Sequence, residues 1–174
     1  MKRALKILIF FFLLTGLITA CQTVSDDRIP NMPVSINLGE AGLWNTYGVS
    51  GFGNHREFIL SPGMRIPSGF PYSQTSATGF GGVLLISGMD PYLVTTDIPL
   101  AYDLSCPVER KTDVRVYIDN ETYVAVCPEC HSTYDVTMSG GAPLSGPAAS
   151  GEYKYRLKNY SCYPSSAGGY IITN

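Results

Sequence analysis

The chain has 174 residues, with 12 Lys and Arg against 14 Asp and Glu, a formal net charge of −2. Three of the bases, Lys2, Arg3 and Lys6, fall in the first 20 positions, which hold no acid, so the remainder carries 9 bases against 14 acids, or −5. That acidity argues against a nucleic-acid partner, which needs a basic face for its phosphates, and the length after position 20 suits one domain with its own core.

A charged start, the apolar run 7–14 and a small-residue boundary make 1–20 a targeting segment outside the fold. It ends in Leu17-Ile18-Thr19-Ala20-Cys21, which resembles the lipobox read by bacterial lipoprotein signal peptidase. The resemblance implies that Cys21 is acylated and becomes the mature N-terminus, its chains burying about 0.8 kcal/mol per methylene in the bilayer. A secretory leader cut elsewhere is the alternative. Residues 21–32 are polar, contain Asp26 and Asp27, and read as a flexible tether. Ser25-Asp26-Asp27 is similar to the short acidic stretches behind the lipidated cysteine of some surface-exposed lipoproteins, and it fits a plain solvated linker equally well. The implied location is the cell envelope, lipid-anchored to the outer membrane. No second apolar run approaches the roughly 18 to 20 residues of a spanning helix.

Residues 33–174 are expected to form one all-β domain, since Gly, Pro and Tyr are interleaved with short Val- and Ile-rich runs and no long helical period occurs. Val34, Ile36 and Leu38 alternate with Ser35 and Asn37, the period of a half-buried strand. A strand is expected at 57–60, a loop or insertion at 69–82, and strands at 82–87 and 98–104. Val114, Val116 and Ile118 alternate towards an Asp119-Asn120 turn, and 123–126 runs back, which predicts a hairpin. A short strand at 134–138, a Gly/Pro loop at 139–151, an alternating stretch at 153–162 and a closing strand at 169–173 complete the domain. The total is about nine strands and no obligatory helix.

Four cysteines follow Cys21: Cys106, Cys127, Cys130 and Cys162. In an exported chain an even number suggests two disulfides, with three pairings open. Cys106 and Cys127 each precede proline, each follow a strand and bracket the hairpin, so the hairpin brings two cysteine-bearing loops to its open end. That geometry suits a metal or a cross-link.

In order and spacing this half of the chain resembles the Rieske [2Fe-2S] domain, with its C-x-H loop, hairpin, C-x-x-H loop running on as G-S-x-F-D, and later G-P-A loop. The corresponding stretches are Cys106-Pro107-Val108, then Cys127-Pro128-Glu129-Cys130-His131-Ser132-Thr133-Tyr134-Asp135, then Gly146-Pro147-Ala148. The resemblance implies antiparallel sheets with a small cluster-binding subdomain, and one-electron transfer by a [2Fe-2S] cluster to a redox partner that nothing in the chain identifies. It places thiolate ligands at Cys106 and Cys127. At the two imidazole positions stand Val108 and Cys130, with His131 one residue beyond, where the family usually has glycine; such a cluster takes two Cys and two His.

The residues themselves leave several chemistries open. Cys106, Cys127 and Cys130 could hold a cluster or zinc with His131, Glu109 or Cys162 as a fourth ligand. A disulfide could close the site and leave a binding or structural lipoprotein with no metal. Cys127-Pro128-Glu129-Cys130-His131 also spells C-x-x-C-H, the haem c attachment signature, though its flanks read as strands. A thioredoxin-like dithiol lacks the helix that would lower a thiol pKa. His55 lies in a Gly-rich loop, and no nucleophile elbow, P-loop or dinucleotide fingerprint is present, so no catalytic residues are assigned.

Overall fold

A computed structural model describes residues 24–90, 95–151 and 154–174; the leader and Cys21, with the acylation expected there, lie outside the described residues. The domain is mostly β, in antiparallel sheets, as expected. In chain order its strands are β1 (Val24–Ser25), β2 (Val34–Glu40), β3 (His55–Ser61), β4 (Met64–Ile66), β5 (Ala77–Thr78), β6 (Val83–Asp90) and β7 (Thr95–Asp103). They are followed by β8 (Tyr117–Ile118), β9 (Ala125–Val126), β10 (Thr133–Asp135), β11 (Ala142–Ser145), β12 (Lys154–Tyr155), β13 (Asn159–Pro164) and β14 (Gly168–Thr173).

Eight strands form one sheet in the order β4-β3-β6-β7-β13-β14-β2-β5, and four form a small second sheet in the order β11-β10-β9-β8. The run Val83-Leu84-Leu85-Ile86 explains how the two meet. All four side chains are buried, because β6 lies inside the large sheet with both faces covered. Strand alternation sends Leu84 and Ile86 to one face, where they pack with Tyr102, Leu104, Cys106, Cys127 and Tyr134. Val83 and Leu85 go to the other, against Val34, Ile36, Leu38, Phe58, Phe70 and Ile172. The cysteine loops therefore belong to a core on one side of the sheet only.

At the end of β7 the chain passes from the large sheet to these loops, and the passage is fixed by Asp103, which is fully buried. Its carboxylate accepts N–H bonds from Phe80 (2.9 Å), Gly81 (3.0 Å) and Ser105 (2.7 Å), and the Tyr160 hydroxyl donates to it at 2.6 Å. Gly81 approaches so closely that a β-carbon there would collide with Ser105 and Asp103. Burial pushes the Asp103 pKa up, against the pull of the Tyr160 hydroxyl and the three N–H groups.

The structure differs from the sequence expectations in several places: β4 was not expected, His55 opens β3 instead of lying in a loop, and the stretch at 153–162 is divided between β12 and β13. A short helix, α1 (Ala41–Tyr47), follows β2. It buries no residue, so no apolar stripe marks it, and it is anchored by Trp44, whose ring packs 4.8 Å from Tyr170. The loops expected at 69–82 and 139–151 contain β5 and β11, both too short to carry a periodic signature. The polar stretch 21–32, expected as a free tether, is docked from Val24 onward. There β1 pairs with β12 in parallel, Ile29 is buried and the Arg28 guanidinium lies 4.2 Å over the Tyr155 ring.

Asp103→Ala leaves several buried donors without an acceptor and is expected to lower unfolding stability by about 3 kcal/mol or more. Because folding raises this carboxyl's pKa, its contribution is greatest at low pH and falls as pH rises through the folded-state value. The difference between wild type and variant in urea unfolding should shrink over the same interval.

Candidate metal centre

The small sheet is built around the predicted hairpin. Strands β8 and β9 pair as Tyr117 with Val126 and Ile118 with Ala125, and Val114, Val116 and Ile118 are buried on one face. The turn at Asp119 is closed by its own carboxylate, which accepts N–H bonds from Glu121 (2.8 Å) and Thr122 (3.3 Å) and ionises more readily for it. Ahead of the hairpin, Cys106 N–H donates to the Val114 carbonyl at 3.2 Å and Val116 N–H to the Leu104 carbonyl at 2.8 Å. The strand that leads into Cys106 thus lies against the start of the hairpin, and Cys127 leaves its end. Both loops reach the same place.

The two loops share one backbone design. In Cys106-Pro107-Val108-Glu109-Arg110 the Arg110 N–H donates to the Cys106 carbonyl at 2.9 Å, and Arg110 has φ 56°. In Cys127-Pro128-Glu129-Cys130-His131 the His131 N–H donates to the Cys127 carbonyl at 3.1 Å, and His131 also has φ 56°. Each loop turns its backbone N–H groups towards the sulfur of its first cysteine: those of Glu109 and Val108 towards Cys106, those of Cys130 and Glu129 towards Cys127. Such loops are suited to stabilising thiolate.

Three sulfurs converge there. The Sγ atoms of Cys106, Cys127 and Cys130 all lie within 4.8 Å of one another, Cys106 and Cys130 being 3.6 Å apart. Cys106 and Cys127 are fully buried, while Cys130 is partly exposed and forms the solvent side of the group. The Tyr134 hydroxyl lies 3.4 Å from Cys106 Sγ, and Ser132 Oγ lies 3.2 Å from Cys130 Sγ. Ser132 is itself held by the Ala148 N–H, which donates to its Oγ at 3.0 Å. The Gly146-Pro147-Ala148 loop presses so near that a β-carbon on Gly146 would stand 2.7 Å from Ser132 Cα.

Electrostatics divide the three thiols. Desolvation raises Cys106, and it pushes Cys127 up to about 12, so both bury their protons until something displaces them. Desolvation also opposes ionisation of Cys130, but the Ser132 O–H and N–H and the two neighbouring thiols outweigh it, and its pKa is lowered. Of the three thiols, Cys130 is the one whose ionisation its surroundings favour.

Other candidates fall outside the group. His131 is exposed, carried away from the sulfurs by its left-handed backbone, and is not among the donors that converge. Val108 packs its side chain against the core, and Cys162 packs on the opposite side of the large sheet. The haem spelling finds no support in the geometry: Cys127 is buried in the core, the motif lies between β9 and β10 rather than on helices, and His131 turns outward. His55 lies on β3 opposite Ile86, and Phe58 and Phe70 are core residues against which Trp44 and Tyr72 pack partly buried. Sequence reading assigned no role to Ser132 or Tyr134; their position directly after a cysteine loop was the available signal.

No family model matches the chain, and no curated protein is significantly similar to it.

His131→Gly should relieve the left-handed backbone and raise stability by up to about 1 kcal/mol, with no change in the alkylation rates of the three thiols. A fall in metal affinity in this variant would instead make the imidazole a ligand.

Proposed function

We propose that this protein is an envelope lipoprotein whose β domain holds a thiophilic transition-metal ion on Cys106, Cys127 and Cys130. The convergence of three sulfurs within 4.8 Å from two loops far apart in sequence carries the reading. Zinc bonded to thiolates at about 2.3 Å in a tetrahedron requires sulfurs about 3.8 Å apart, close to the 3.6 Å between Cys106 and Cys130. Iron or copper(I) satisfies the same soft donors. Membrane attachment is supported by Ala20-Cys21 behind an apolar leader.

A Rieske cluster fits the residues poorly. Two thiolate positions are filled, but Val108 offers no donor and is packed against apolar neighbours, and Cys130 replaces an imidazole with a thiolate. The scaffold resemblance is compatible with a metal centre of other composition, and that is the role proposed here.

A disulfide between Cys106 and Cys130 is the second reading, favoured by their 3.6 Å separation and by an oxidising compartment.

Protein purified without oxygen is expected to contain one zinc, iron or copper ion per chain by elemental analysis, lost when any one of the three cysteines becomes serine. A metal-free protein two mass units lighter than the fully reduced chain, with two thiols missing from titration, would establish the disulfide instead. Separately, labelled fatty acid is expected to enter the wild-type chain and not Cys21→Ser; label in the serine variant would remove the lipid anchor from the reading.

A further inference from the structure

We infer that Glu109 is the fourth ligand of this centre, making it a three-thiolate, one-carboxylate site. The inference rests on the three-thiolate reading and on the correspondence between the two loops. Cys106 matches Cys127 and Pro107 matches Pro128. Arg110 matches His131 in φ and in its N–H bond back to the first cysteine. In this register Val108 matches Glu129, and Glu109 matches Cys130. Loops of the same backbone form present their fourth residue in the same way, and in the second loop that residue turns its sulfur into the group.

Burial follows the correspondence. Glu109 and Cys130 are both partly exposed, whereas Cys106 and Cys127, at the first positions, are fully buried. Among the described residues the Glu109 carboxylate, its side chain 22 % exposed, is paired with Lys111 at 3.9 Å, and that lysine side chain is 58 % exposed. Such a solvated pair contributes little and is easily exchanged for a metal bond. Glutamate also has two more bonds between its α-carbon and its donor atom than cysteine; its carboxylate does not lie with the three sulfurs in the structure, so its side chain has to rotate to bind an ion held by them. His131 occupies the outward-turned fifth position, and Cys162 is on the far face of the sheet.

A hard oxygen completing three soft sulfurs has a chemical consequence. It favours a borderline divalent ion such as Zn²⁺ over Cu⁺, which three thiolates already satisfy.

The test uses the full domain, kept reduced under anaerobic conditions, loaded with Zn²⁺ or with Co²⁺ as its spectroscopic substitute. X-ray absorption of the zinc form should show three sulfurs at about 2.3 Å and one lighter scatterer at about 2.0 to 2.2 Å. Glu109→Cys should convert this to four sulfurs and intensify the sulfur-to-cobalt charge-transfer band. Glu109→Ala should weaken Zn²⁺ binding by about tenfold or more while three sulfurs remain, and His131→Ala should change neither. The inference is overturned if Glu109→Ala binds as tightly as wild type, or if Glu109→Cys still shows three sulfurs. Failure of the underlying reading looks different: wild type then takes up no Zn²⁺, or keeps it when any one of the three cysteines is serine.

Discussion

A carboxylate shut away from water, Asp103, governs the place where the large sheet hands the chain to the cysteine loops. Four donors from three separate segments converge on it: Phe80 and Gly81 from the loop before β6, Ser105 from the residue before Cys106, and Tyr160 from β13. Each of those N–H or O–H groups would be unsatisfied in the core without it, so the segments are obliged to meet there. Because Ser105 precedes Cys106 directly, the position of the first sulfur is inherited from this buried network. Ser105 adds a second tie through its hydroxyl, which donates to the Lys111 carbonyl at 2.8 Å and closes the loop that carries Glu109.

The second loop is held by different means and with comparable strictness. Ser132 Oγ accepts from Ala148 and faces Cys130, the Ser132 carbonyl accepts from Cys127 N–H at 2.9 Å, and Tyr134 reaches back to Cys106. Burial raises the Tyr134 hydroxyl far above its ordinary pKa, with the neighbouring Cys106 adding to the effect, so it stays a protonated donor beside the sulfur. The outcome is a buried group with one partly exposed, polar side. Two sulfurs are closed off by the core, and Cys130 faces outward beside a hydroxyl that favours its ionised form.

The segment before the domain bears on the same loops. Arg110, which ends the first cysteine loop, donates from its Nε to the Arg28 carbonyl at 3.1 Å, and Ile29 beside it is buried. A chain expected to give reach is instead a strap laid along the domain and hydrogen-bonded to the first cysteine loop.

Much of the fold was legible from local pattern, because apolar alternation at Val34, Ile36 and Leu38 and at Val114, Val116 and Ile118 states both the strand and the face it buries. The continuous run at Val83 to Ile86 announced a strand covered on both sides, and the turn at Asp119 was marked by a residue that closes its own turn. Helix α1, strand β5 and the strap at 24–29 left no such trace, since each is fixed by contacts with distant chain rather than by a period of its own. The sequence alone singled out Cys106, Cys127, Cys130 and His131 as candidate donors, with Glu109 and Cys162 also open, and indicated that a hairpin would bring the two cysteine loops to one end. Only the tertiary structure decided that His131 turns outward while Cys130 turns in, and that Glu109 holds the place in the first loop that Cys130 holds in the second. The physical reason is that a side chain's direction depends on the φ of a single loop residue and on the neighbours that loop is pressed against, which spacing along the chain does not encode.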